Sequence, residues 1–240
     1  IRDGPMSRGL GDVHKRQDKV IPEICNTNRV LAIDLLGHGQ TACLGYVHSM
    51  ELMAEAVFAV LKSLRIRKIT IIGHSMGGYV SLALAEKHPE IIRGLCLLNS
   101  TANSDSTARK KLRARANKMV QDNFTSMVRM SFVNLFEEER KSLFKSEIEN
   151  ALNKALKTPL HGYIACQEGM KIRPDRTNVL KNNTFKKLMI LGKKDPVLNS
   201  SDSLKEAKQT NSEIVVLSGG HMSYIENQID LITALKKFIK

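Results

Sequence analysis

The chain has 240 residues, 42% of them hydrophobic and 25% charged, which fits a globular protein large enough to bury a sizeable core. Its 37 Lys and Arg against 24 Asp and Glu give a formal charge of +13, but with aromatic residues at 5% and no known binding module, a nucleic-acid partner is not expected. No apolar run approaches the roughly twenty residues that span a bilayer, and the scattered Cys25, Cys43, Cys96 and Cys166 form neither a zinc motif nor a disulfide framework, so a reducing cytoplasm is the expected setting.

Taken in chain order, Ser49 to Leu64 carries the apolar spacing of an amphipathic helix. Ile69 to Ile72 is a β-branched run suited to a buried strand, and it leads directly into Gly73-His74-Ser75-Met76-Gly77. Gly77 and Gly78 then open a helical pattern through Ala85, read as amphipathic. A strand that becomes a helix within a residue or two forces the turning residue into strained backbone. Gly73 and Gly77, two residues either side of Ser75, are expected to remove the Cβ atoms that would collide there. Ser75 is thereby exposed as a candidate nucleophile, with the Met76 backbone N–H at the helix start available to a developing oxyanion.

Gly94 to Leu98 reads as the next strand, ending at Asn99-Ser100. From Thr101 to about Asn183 the strand signals vanish. Helical periodicity covers 108–120, 123–135, 137–156 and 159–172, so 101–183 is expected to be a helical cap inserted into a core made of 18–100 and 184–240. Residues 101–186 hold 17 Lys and Arg against 9 Asp and Glu, densest at Arg109, Lys110, Lys111, Arg113 and Arg115. That run is either a solvated helix face or a receiver for an anionic or carrier-bound substrate.

Strand and helix alternation then resumes. Lys187 to Leu191 is a short apolar strand followed by Asp195-Pro196, and Glu213 to Leu217 is another, followed by Gly219-Gly220-His221. Ile229 to Ile239 closes the chain as a helix. In parallel sheets functional groups gather at the carboxyl ends of strands. Three strand ends would therefore deliver Ser75, Asp195 and His221 to one edge, as nucleophile, orienting acid and base. Asp195 before Pro196 also suits a simple turn. The other six histidines are weaker bases: His74 is locked beside Ser75, His38 lies in a Gly-rich loop, His48, His88 and His161 read as helix or loop surface, and His14 lies in the N-terminal segment set apart below.

At these residues the chain resembles the α/β-hydrolase superfamily, over about 28–240. Gly73-x-Ser75-x-Gly77 matches the family's nucleophile elbow, in the chain order Ser, Asp, His. Ala32-Ile33-Asp34 and Gly37-His38-Gly39 match its strand followed by a Gly-His-Gly loop, and Gly192-x-x-Asp195-Pro196 and Gly220-His221 match the acid and histidine segments. The resemblance implies an α/β fold with a mostly parallel sheet flanked by helices, a strand over 28–34, and no cofactor or metal. Ser rather than Asp at the elbow argues against the dehalogenase and epoxide-hydrolase branches.

The resemblance breaks at the N-terminus. Similar enzymes have further strands there, one ending in His-Gly, beyond which a backbone N–H completes the oxyanion hole. Asp3-Gly4-Pro5 is the nearest match, and Pro5 has no N–H to donate. Residues 1–17 resemble read-through of sequencing-adapter DNA and are expected to be non-native, with family-like sequence resuming at Val20 to Ile24 as the tail of the first helix. The expectation is a gene fragment lacking its first strands; the alternative is a divergent member with a short N-terminus. The expected function is hydrolysis of a small-molecule ester or thioester through an acyl-enzyme. The rival is a non-catalytic binding protein, or an inactive fragment, on the same fold.

Overall fold

A computed structural model describes residues 20–240. The segment 1–17, the Asp3-Gly4-Pro5 match and His14 lie outside the described residues. The description starts with a short helix α1 (Ile21–Cys25), with Pro22 in its first turn, where its missing N–H breaks no helical bond.

The expected strand over 28–34 is not formed. Those residues are irregular chain, with Ile33 packed into one hydrophobic cluster and Val30 into the other, and among the described residues they join no ladder. Asp34 instead anchors the following turn: its carboxylate accepts from Gln40 N–H (3.2 Å) and its carbonyl from the Thr41 hydroxyl (3.0 Å).

Helix α2 (Met50–Ser63) starts where Ser49 Oγ accepts from Leu52 N–H (3.1 Å), an N-cap, and it buries Met50, Met53, Ala54, Val57 and Leu61 at helical spacing. Strand β1 (Ile69–His74) then runs into helix α3 (Met76–Lys87) with Ser75 alone between them. Helix α3 corrects the amphipathic reading. Every residue from Gly78 to Ala85 is buried, because the helix is sandwiched between the sheet and α2. The period of its sequence is flat for the same reason.

Strand β2 (Ile92–Leu98) is followed by helices α4 (Thr107–Asp122), α5 (Phe124–Val133), α6 (Lys145–Ala155), α7 (Leu160–Ile172) and α8 (Thr177–Asn182). The helix expected over 137–156 is broken: Glu138–Arg140 is a single 3-10 turn, and α6 begins only at Lys145. Glu137 explains the break. Its side chain is buried and paired with Lys194, and its N–H is held by Glu226 Oε1 (2.9 Å), so the chain is pinned there rather than coiling onward. Strand β3 (Lys186–Gly192), helix α9 (Ser200–Gln209), strand β4 (Glu213–Leu217), one helical turn α10 (Ser223–Glu226) and helix α11 (Gln228–Ile239) complete the chain.

Among the described residues the four strands are all parallel, in the order β1-β2-β3-β4. Their side chains alternate between two cores. Leu95, Leu97, Met189 and Leu191 pack with α2 and α3 on one face, while Cys96, Leu98, Leu188 and Ile190 pack with α1 and α11 on the other. Both faces of β2 and β3 are covered, which is why those strands read as continuous apolar runs. The second core also takes in Val128, Phe132, Phe136, Ile148 and Leu152, so the helices between β2 and β3 share a core with the sheet. No helix among the described residues is long and apolar enough to cross a membrane.

Candidate active site

Because the strands are parallel and in register, their carboxyl ends line one edge: His74 lies beside Leu98, Leu98 beside Ile190, and Gly192 beside Leu217. Ser75 follows the first of these ends. Its N–H still bonds Leu98 O (3.0 Å), but its own dihedrals are φ 52° and ψ −119°, a region that non-glycine residues avoid. The strain follows from compressing the strand-to-helix turn into one residue, and it lifts the Ser75 side chain off the sheet edge. Met76 is the first residue of α3, so its N–H is among those with no partner inside the helix.

The glycines that permit this turn differ from the expected pair. A Cβ on Gly73 would lie 2.5 Å from Gly77 O and 2.6 Å from Gly78 Cα, so Gly73 is required. A Cβ on Gly77 would meet nothing within 4 Å, whereas one on Gly78 would lie 2.6 Å from Ser100 Cβ and closer still to Ser100 Oγ. The close approach is between α3 and the end of β2, where Ser100 Oγ donates to Ser75 O (2.7 Å).

The structure brings Ser75, Asp195 and His221 together. His221 Nε2 is 3.0 Å from Ser75 Oγ, and His221 Nδ1 is 2.8 Å from Asp195 Oδ2. A carboxylate only accepts, so Nδ1 carries the proton and Nε2 of the neutral ring is left to accept from the serine hydroxyl. Asp195 also begins a turn, its Oδ1 accepting from Val197 N–H (2.7 Å) and Leu198 N–H (3.1 Å), so the two readings of Asp-Pro coexist. Burial opposes ionisation of Asp195, but the hydrogen bond and charge of His221, with bonds from Asn99 and Val197, outweigh it and hold the carboxyl below its ordinary value.

His221 is 2% exposed and held on every side. Its N–H bonds Leu135 O (3.0 Å), and its carbonyl accepts from His74 Nε2 (2.9 Å). The buried Glu226 carboxylate takes the N–H groups of Gly220 (3.1 Å) and Met222 (3.3 Å) either side of it, besides that of Glu137. Residues 135–137 are thus stitched to the loop that carries His221.

Two residues were not singled out by sequence reasoning. Asn99, at the end of β2, donates from Nδ2 to Asp195 Oδ2 (3.0 Å) and to Gly220 O (3.2 Å). The available signal was its place: it is the polar residue that closes β2 at the carboxyl edge of the parallel sheet. Glu226 follows His221 by five positions, and nothing in a lone Glu announces three backbone partners. His48, read as surface, is fully buried. Its Nε2 accepts from Leu44 N–H (3.0 Å), its Nδ1 lies 3.7 Å from Cys166 Sγ, and burial pushes its pKa down. The cause is the close docking of α7: a Cβ on Gly162 would strike the backbone of Gly37, and one on Gly169 the backbone of His48. Among the described residues no group of three or more His, Cys, Asp or Glu is arranged to hold a metal ion.

A family profile described as the alpha/beta hydrolase fold matches residues 8–228. The chain belongs to the α/β-hydrolase family. Among solved structures, this family member is similar to a thermophilic esterase from Thermogutta terrifontis, at 27% identity and a TM-score of 0.87, over 93% of this chain and 84% of that one. Among curated proteins it is 28% identical over 216 residues to the dihydrolipoyllysine-residue acetyltransferase component of the acetoin cleaving system of Pseudomonas putida, covering 85% of this chain and 54% of that protein. It is 35% identical over 86 residues to 2-hydroxymuconate semialdehyde hydrolase of Pseudomonas sp. strain CF600, covering 35% of this chain and 30% of that protein. The chain therefore spans about half the length of the first curated relative and under a third of the second.

Proposed function

We propose that this α/β-hydrolase-family chain cleaves a small-molecule carboxylic ester or thioester through an acyl-enzyme formed on Ser75. The observation that carries the reading is the unbroken relay from a strained serine, Ser75 Oγ to His221 Nε2 at 3.0 Å and His221 Nδ1 to Asp195 Oδ2 at 2.8 Å. His221 takes the hydroxyl proton as Ser75 Oγ bonds the substrate carbonyl carbon. Asp195 keeps the ring in the required tautomer and stabilises the imidazolium without itself taking the proton. The Met76 N–H meets the oxyanion, a contact whose removal costs on the order of 3 kcal/mol in such sites. The tetrahedral intermediate collapses as His221 returns the proton to the leaving alcohol or thiol. Water, deprotonated by the same ring, then releases the acid. The names of the esterase and the semialdehyde hydrolase among its relatives support a hydrolytic outcome.

Helix α4 bears on the substrate's charge. Lys110, Lys111 and Arg115 are exposed, with Arg109 half-buried, whereas Arg113 turns inward to Asp105, which also takes Arg173. An anionic or carrier-bound substrate received at this face would meet the outer lysines and arginines and not Arg113.

A fluorophosphonate probe tests the reading, because only an activated serine reacts rapidly with it. The protein should be labelled once per chain, and Ser75→Ala should abolish labelling. No labelling, or labelling that survives Ser75→Ala, would leave a non-catalytic binding protein on this fold as the better description.

A further inference from the structure

Four parallel strands end at one edge, and three of those ends supply the proposed triad. The fourth, that of β2, supplies Asn99. Its N–H continues the ladder to Ile190 O (2.8 Å), and the backbone then turns through φ 44°. The side chain is 1% exposed. Both partners of Nδ2, Asp195 Oδ2 and Gly220 O, are acceptors, so the amide can face only one way, and Oδ1 is left buried without a hydrogen-bond partner among the described residues. A positive φ and a buried orphan oxygen both cost stability. Glycine would carry neither cost, but it would also lack the amide.

We propose that Asn99 is a positioning residue for the Asp195–His221 pair, an inference that rests on the triad reading above. Asp195 Oδ1 is already held by the Val197 and Leu198 N–H groups. Asn99 fixes the other oxygen, Oδ2, from a rigid strand end, and it shares negative charge that His221 would otherwise have to itself. The same NH2 group holds the Gly220 carbonyl, immediately before His221, whose only other side-chain donor among the described residues is the Ser223 hydroxyl at 3.4 Å. One amide therefore sets the acid and the chain entering the base in mutual register. Other titratable groups packed around His221 are His74, with ring centroids 5.2 Å apart, Glu226, bonded to the Gly220 and Met222 N–H groups, the buried Glu137, whose N–H bonds Glu226, and Tyr224, edge-on to the His74 ring. None of these is changed in the test.

The experiment is the fluorophosphonate labelling rate as a function of pH, for the unaltered protein, Asn99→Gly and Asn99→Asp, with Ser75→Ala as the blank. Asn99→Gly relieves the backbone strain, so the variant should fold, yet it should label about tenfold more slowly. Its acid limb should move up by roughly half a pH unit or more, because Oδ2 is then shared with no other side chain. Asn99→Asp keeps the shape and places a second carboxyl about 3 Å from the first, so its acid limb should move further in the same direction. A residue of merely structural importance would change the melting temperature and leave the limb in place. Wild-type rate and limb in both variants would overturn this inference alone. Failure of the unaltered protein to label would overturn the triad reading, and this inference with it.

Discussion

Gly77 and Gly78 are adjacent, and the structure assigns them opposite consequences on substitution. In Gly78→Ala the new Cβ would lie 2.6 Å from Ser100 Cβ and 3.1 Å from Leu97 Cδ2, and nearer still to Ser100 Oγ. Ser100 is fully buried, and its hydroxyl is committed to Ser75 O, so it cannot turn away without losing that bond. Forcing a methyl into a packed core costs about 1–3 kcal/mol, and the lost hydrogen bond about 1 kcal/mol more. The sum, about 2–4 kcal/mol, corresponds to a fall in melting temperature of roughly 5–15 °C for a chain of this size. Gly77→Ala meets nothing within 4 Å and needs no positive φ. It should be neutral, or stabilising by up to about 0.5 kcal/mol through reduced freedom of the unfolded chain. Thermal unfolding followed by circular dichroism reads both variants directly. Equal melting temperatures for the two, or a larger loss at Gly77, would refute the account of how α3 docks on β2.

Asp195→Asn should keep the fold but offer His221 an amide that can favour the wrong tautomer, lowering kcat on an ester substrate by about 10³- to 10⁴-fold; a loss under tenfold would rule out Asp195 as the orienting acid. Burial raises the pKa of Glu206 above its ordinary 4.5, against hydrogen bonds from Thr101 and the Ala102 N–H. A raised folded-state value means that its stabilising contribution is complete below the unfolded pKa and is lost as pH rises through the folded one. Glu206→Gln should therefore gain melting temperature relative to the unaltered protein as pH climbs from 4.5 towards 7, and a difference that stays flat with pH would contradict this. Reversing Lys110, Lys111 and Arg115 to Glu while sparing Arg113 should lower kcat/KM for an anionic ester and leave a small neutral ester unchanged, with the gap closing as salt is added. Equal rates at all salt concentrations would make the run a solvated helix face.

Much of this protein was legible in its sequence because the relevant signals are local. Ile69 to Ile72, Lys187 to Leu191 and Glu213 to Leu217 are short apolar runs bounded by Gly, Asp or Ser, and each forms a strand whose end residue follows from its own neighbours. The Gly-x-Ser-x-Gly spacing between a strand and a helix dictates a compressed turn, hence the strained backbone at Ser75. What the sequence could not determine depends on which surfaces meet. Gly77 and Gly78 look alike in a string, and only the approach of Ser100 separates them. His48 reads as a surface histidine until α7 closes over it, and Arg113 reads as one more solvated cation until Asp105 and Arg173 appear beside it. The 28–34 segment carries a strand's pattern but joins no ladder among the described residues. Asn99 shows the limit most sharply: its partners Asp195 and Gly220 are 96 and 121 positions away, and no local period records a contact at that range. Periodicity and turn chemistry act over a few residues, whereas burial, pairing and the orientation of a carboxylate are decided by neighbours that only folding brings together.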